Sequence, residues 1–267
     1  MQDDGEATEP SESIKVASTG SSASEAAHLL LKARRTGTTL THLPPHLRPR
    51  SQADAHRIQD AIVAQLGMVG GWKVFASDDA APFLSPLPTS LIVEQGHVAA
   101  RGPLPIVLVE LEIALTLGRD LPLQKKPYDA ASVRDAVASF HPLIELITFS
   151  WTDRDQVDRL TQLSDLQNSA GFVVGDALTD WEALDMANVK STLIFDGAEQ
   201  ATSSTGADLA TILGTLALLA DHALARGMPL RRGQVITTGS RLVAPTGAAK
   251  TIRGEIAGLG VVETTLG

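Results

Sequence analysis

Residues 1–24 are dominated by Asp, Glu, Ser, Thr and Gly and hold almost nothing to bury. Such a segment gains too little apolar burial to offset its chain entropy, and it reads as a disordered tail. Over 24–35 the string SEAAHLLLKARR spaces its apolar positions for a short helix, with Ser24 as N-cap and basic residues at the end where they oppose the helix dipole. Pro44, Pro45 and Pro49 interrupt the next stretch, and a second helix follows over 52–66, ending near Gly67. After Gly70 and Gly71 the pattern changes. Short runs rich in Val, Ile and Thr alternate with Gly and Pro breaks: WKVFA, TSLIVEQG, PIVLVELEIALTL, HPLIELITFS, SAGFVVG, STLIFDG, QVITTGS and GEIAGLGVVETTL. These predict strands. Helices return over 130–138 and 209–226, the latter closed by Gly227 in the C′ position. No repeat of fixed period is present. The pattern predicts a tail over 1–24, a helical arm over 25–68 and a β-rich domain over 69–267, an α+β protein.

Composition narrows the function classes. The chain of 267 residues is 43% hydrophobic and 20% charged, which supports a real core. A net charge of −9 argues against nucleic acid as a partner. The absence of cysteine excludes disulfides, thiolate metal sites and thiol catalysis. No apolar run approaches the roughly 20 residues of a membrane span, and the acidic start has no leader-like apolar core, so a cytoplasmic protein is expected.

The run IVLVELEIALTL over 106–117 carries the strongest chemical signal. As a strand it puts Val107, Val109, Leu111, Ile113, Leu115 and Leu117 on one face, and Ile106, Leu108, Glu110, Glu112, Ala114 and Thr116 on the other. A strand apolar on both faces is buried, yet two carboxylates would sit on it with Cα atoms roughly 6–7 Å apart. Burying like charges together is costly. Either they are protonated, or a cation lies between them, a hard divalent ion being the economical choice; an edge strand turning both to water is the other reading. Glu145, the one charge in HPLIELITF, supplies a third buried acid, read as a metal ligand or as a salt-bridged core residue. Lys73 in GGWKVFAS either neutralises these acids or acts as a general acid/base. In LSDLQNSAGFVVG, Asp165, Gln167, Asn168 and Ser169 precede a strand, forming a turn or a set of substrate contacts. Phosphate-loop, dinucleotide, zinc-protease and nucleophile-elbow patterns are absent. His141 stands beside the strand of Glu145 and reads as structural. Arg119, Arg241 and Arg253 are candidates for a second substrate carboxylate, each equally read as a surface residue.

Taken together, GWKV, VELEIALTLGRDLP, HPLIEL, DLQNSAGFVVG, TTGS and GLGVVE resemble the hydratase/decarboxylase branch of the fumarylacetoacetate hydrolase superfamily, over about residues 52–267. The resemblance implies a mixed β-roll with N-terminal helices. It implies Glu110, Glu112 and Glu145 as ligands of Mg²⁺ or Mn²⁺, and Lys73 as a catalytic-site residue. The implied activity is hydration of a 2-hydroxy-2,4-dienoate to a 4-hydroxy-2-oxo acid, as in meta-cleavage catabolism of aromatic compounds. Lys73, Asp165 and Ser169 are the expected catalytic groups; Gln167, Asn168 and Phe75 the expected substrate contacts. The alternatives are decarboxylation of a 2-oxo-3-enedioate or hydrolytic carbon–carbon cleavage at the same site, or an inactive member kept as a binding partner. A homo-oligomer is expected. The sequence departs from the family pattern at Phe75, where a glycine is usual, and in APFLSPL, which lacks an acid that Asp78 or Asp79 would replace.

Overall fold

A computed structural model describes residues 19–77, 80–96, 98–99 and 102–267. Of the expected tail over 1–24, residues 1–18 lie outside the described residues, as do Asp78 and Asp79, and residues 19–24 are instead the first turns of a helix. Helix α1 spans Thr19–Thr36 and α2 spans Gln52–Leu66. Then come strands β1 Val69–Ser77, β2 Ala80–Pro88, β3 Ile92–Glu94, β4 Val98–Ala99 and β5 Ile106–Leu117. Helix α3 Ala130–Arg134, strand β6 Val137–Thr148, helix α4 Arg159–Ser164, strands β7 Ser169–Val174, β8 Ser191–Phe195 and β9 Ala198–Ser203 follow. Helix α5 Leu209–Ala225 precedes β10 Val235–Pro245, β11 Thr251–Ile256 and β12 Gly260–Leu266.

The strands form two sheets, ordered β2-β1-β10-β5-β6-β7-β3 and β4-β12-β11-β8-β9. The larger sheet curls on itself. Leu87 of β2 packs with Ala114, Leu143 and Phe172 of β5, β6 and β7 in one buried cluster, although β2 and β7 are far apart in sheet order. The glycine pair makes this curl possible: a Cβ on Gly71 would lie 2.2 Å from the Val235 carbonyl oxygen of β10 and 3.1 Å from Ile92 Cδ1 of β3. The main core fills the space among the sheets and α5, lined by the Val109–Leu117 face of β5 and by Ile212, Leu216 and Leu219. The expected α+β roll with a helical arm is what forms.

Where prediction and structure differ, packing decides. Helix α1 begins at Thr19, five residues before the expected cap at Ser24, because Ala23, Ala26, Ala27, Leu30 and Ala33 form one buried stripe. Ser51 caps α2 by accepting from the Asp54 N–H at 3.1 Å, and Gly67 ends it with φ 112°. Helix α3 stops at Arg134 rather than 138, since Val137 and Ser139 pair with Leu117 and Thr116 of β5. Strands β2, β4 and β9 were not predicted, and all three lie at sheet edges. An edge strand tolerates prolines such as Pro86 and polar residues such as Glu199 and Gln200, which hide the alternation. A second apolar cluster joins the arm to the β6–β7 connection through Leu30, Ile58, Trp151, Val157 and Leu166. Among the described residues no helix is long and apolar enough to cross a membrane.

Candidate metal centre

Register builds the acidic cluster directly. Glu110 of β5 faces Glu145 of β6 as a cross-strand pair, and Glu112 stands two residues further along β5. One oxygen from each carboxylate lies within 4.8 Å of the others. Glu112 and Glu145 are buried and Glu110 half-buried. Two strands separate β1 from β6, a span of about 14 Å on a flat sheet. The curl nevertheless brings Lys73 Nζ to 2.7 Å from Glu145 Oε1 and 3.6 Å from Glu110 Oε2.

The surrounding groups hold the acids in place. Ser169 Oγ donates to Glu145 Oε1 at 2.7 Å. A bulge in β10 between Thr237 and Ser240, with Gly239 at φ 101°, aims the Gly239 N–H at Glu112 Oε2 from 3.1 Å. Thr237, beside Glu112, favours the charged carboxylate. Burial, then the charges of Glu145 and Glu110, raise the Glu112 carboxyl well above its usual range. Burial pushes Glu145 up to about 7 against the pull of Lys73. For Lys73 burial disfavours the ammonium, but the carboxylates, Glu145 foremost, outweigh it and hold the group above the ordinary lysine range.

The donor set fits a hard divalent cation. All three ligands are oxygens, and Glu112 Oε1 and Glu145 Oε2 are buried without any hydrogen-bond partner. Three carboxylates and one ammonium leave two negative charges, which a divalent ion would neutralise.

Glu110 and Glu112 floor a cavity of about 620 Å³, and Glu145 lies fully buried behind them. Of the sequence-predicted contacts, Lys73, Phe75, Gln167 and Asn168 line it. Asp165 and Ser169 do not. Asp165 is fully buried and turned to the arm, where Arg34 Nε donates to its Oδ1 at 2.8 Å; Ser169 is spent on Glu145. Gln167 directs its amide to Ser85 Oγ at 3.0 Å, and Asn168 directs its own to Gln162 at 3.3 Å. His141 is structural: its Nδ1 donates to the Gly175 carbonyl at 2.9 Å, while Nε2 accepts from the Thr116 and Ser139 hydroxyls at 3.0 and 2.9 Å. Arg119, Arg241 and Arg253 do not line the cavity; Arg241 is bound to the Met186 and Val189 carbonyls, and Arg253 pairs with Glu255 and Glu263.

One feature near the site was not legible in the sequence. Leu166, Gln167 and Asn168 all adopt left-handed backbone, with φ of 51°, 54° and 64°. Each such non-glycine residue costs about 1–2 kcal/mol. Arg34 braces the turn from outside, donating to the Asp165 carbonyl at 2.9 Å and the Ser169 carbonyl at 2.6 Å, while the Leu166 side chain anchors in the arm's core. Arg34 itself reads in the sequence only as a charge at a helix end.

The fold and acidic centre define a class that the comparisons name. The sequence pattern described as fumarylacetoacetate (FAA) hydrolase C-terminal matches residues 65–266. The chain belongs to this family. A 2-keto-4-pentenoate hydratase of Burkholderia vietnamiensis is 35% identical over 159 residues, 59% of either chain. The chain thus spans about three fifths of the length of that relative. A 2-keto-4-pentenoate hydratase 1 of Dechloromonas aromatica is 27% identical over 230 residues, covering 81% of this chain and 86% of that one. Among solved structures, 4-oxalocrotonate decarboxylase from Pseudomonas putida G7, complexed with magnesium and adipate, superposes with a TM-score of 0.78 at 21% identity, covering 92% of this chain and 97% of that chain. That likeness concerns the fold.

Proposed function

We propose that this protein is a divalent-metal-dependent hydratase, adding water to a 2-hydroxy-2,4-dienoate to give a 4-hydroxy-2-oxo acid. The observation that carries the reading is the buried triad Glu110, Glu112 and Glu145 with two orphaned carboxylate oxygens, in a chain related to named hydratases. Magnesium or manganese suits this all-oxygen set, and the magnesium in the P. putida structure supports the same choice. The ion when bound supplies Lewis acidity, stabilising negative charge on the substrate's C2 oxygen.

The chain's own residues do the rest. Glu110, Glu112 and Glu145 hold the ion, and Ser169 and the Gly239 N–H keep two of those carboxylates oriented. Lys73 stays an ammonium at neutral pH, positioned to hold the substrate carboxylate or to deliver a proton to the diene. Phe75, Phe83 and Val243 on the wall restrict water around the diene. Decarboxylation of a 2-oxo-3-enedioate would use the same floor.

The test follows freshly generated 2-hydroxypenta-2,4-dienoate by NMR with the purified protein, with Mg²⁺ or with a chelator. Metal-dependent appearance of 4-hydroxy-2-oxopentanoate is expected. Ketonisation at the uncatalysed rate, with longer dienoates equally untouched, would contradict the reading.

A further inference from the structure

The cavity is electrostatically two-ended. Its charged lining residues are Lys73, Glu110 and Glu112 at the floor, and Arg154 and Arg159 at the wall formed by the β6–α4 connection and α4. Both arginines are solvent-exposed and stand over aromatic rings at the cavity wall. The Arg159 guanidinium stands 5.0 Å from the Phe83 ring centre and 5.9 Å from that of Phe75, and Arg154 stands 4.9 Å from that of Phe149. Neither forms an ion pair among the described residues.

This lack of partners is notable because acids lie beside them in sequence. Two of these acids cap local structure instead: Asp153 accepts from the Asp155 N–H at 3.0 Å, and Asp158 accepts from the Thr161 N–H at 2.9 Å and its hydroxyl at 2.8 Å. Arg154 uses Nε on Gln162 at 3.3 Å, which leaves its terminal nitrogens open. A guanidinium laid against a phenyl ring keeps its N–H edge free for a planar, bidentate acceptor, and a carboxylate is such an acceptor. In a chain of net charge −9, two unpaired cations on one cavity wall form a local attractor for an anion. Phe75, bulky where the family pattern has glycine, thereby acquires a use as a bracket for Arg159.

We infer that Arg159 and Arg154 form a subsite for a second carboxylate, so that the preferred substrate is a 2-hydroxy-dienoate bearing an acid at its distal end rather than an unsubstituted one. This rests on the hydratase reading for the chemistry, but the subsite is a binding claim in its own right.

The experiment therefore has a binding arm and a turnover arm, each using molecules matched in length. In the first, calorimetry of the Mg²⁺-loaded protein compares 2-oxoheptane-1,7-dioate with 2-oxoheptanoate. The dioate is expected to bind on the order of tenfold more tightly, and Arg159→Gln or Arg154→Gln to erase most of that ratio, with Arg159→Lys restoring part of it. Equal affinity of the two acids for the wild type, or a ratio unchanged in both glutamine variants, overturns the subsite. In the second, NMR compares hydration of 2-hydroxyhepta-2,4-diene-1,7-dioate and 2-hydroxyhepta-2,4-dienoate, with the preference for the dioate expected in kcat/KM. Selective binding without turnover of either dienoate keeps the subsite and overturns the hydratase reading; equal turnover with unselective binding does the reverse.

Discussion

Arg34 and Asp165 sit 131 residues apart in the chain and meet in a buried ion pair, Nε to Oδ1, at 2.8 Å. Asp165 is wholly shielded from solvent and Arg34 is 16% exposed at its side chain. The same guanidinium also holds the carbonyls of Asp165 and Ser169, and Ser169 in turn holds Glu145. Through this chain of contacts the helical arm belongs to the site rather than standing beside it. Removing only the cation leaves a buried carboxylate without compensation, so Arg34→Met is expected to cost about 3–5 kcal/mol. The double variant Arg34→Met/Asp165→Asn should recover part of that loss. Urea denaturation of the two proteins checks the order.

Lys73 separates metal binding from chemistry. It lies between two of the carboxylates without competing for their orphaned oxygens. Lys73→Met should therefore keep a divalent ion while turnover falls by about two orders of magnitude or more. Parallel measurement of ion binding and of hydration by NMR decides this; loss of both together would make the lysine purely structural.

A second buried cluster sets the response to acid. His56 and Asp60 of α2, His222 of α5 and Arg226 at its C-cap meet beside Trp72 of β1, with the two imidazole centres 4.7 Å apart and the guanidinium 5.4 Å from the indole. Burial, reinforced by the Arg226 charge, pushes His56 down to about 3 and His222 down to about 4. Unfolded, both titrate near ~6.5. Below that value the unfolded chain binds more protons, so stability present above pH ~6.5 is lost as the pH falls through the folded values. Urea midpoints at a series of pH values should decline through this window, and His56→Gln should flatten the decline.

Gly71 is fixed by space. An added Cβ would fall 2.2 Å from the Val235 carbonyl oxygen, against backbone that the β1–β10 pairing holds. Gly71→Ala is expected to destabilise by about 1–3 kcal/mol or more, read as a lowered melting temperature.

The central strands and the triad were legible because both signals are local contradictions. In β5 and β6 carboxylates interrupt apolar runs, and a shared buried site is one of the few arrangements that reconcile the two. The edge strands β2, β4 and β9 carry no such pattern, since only an interior strand must be apolar on both faces. Asp165 was legible as an important polar group, but its direction depends on Arg34, a partner set by tertiary packing rather than by spacing. Arg154 and Arg159 were hidden for a similar reason. They sit in a stretch of alternating charge, DRDQVDR, where sequence gives no sign that two of the three neighbouring acids, Asp153 and Asp158, are occupied as caps.

The most direct test of the account is calorimetric titration of the chelator-treated protein with Mg²⁺ and with Mn²⁺, alongside Glu112→Gln. The account predicts saturable binding of one ion per chain by the wild type and its loss in the variant, whose fold is retained. No saturable binding of either ion by the wild type would contradict it, and the buried carboxylates would then have to be a protonated core cluster.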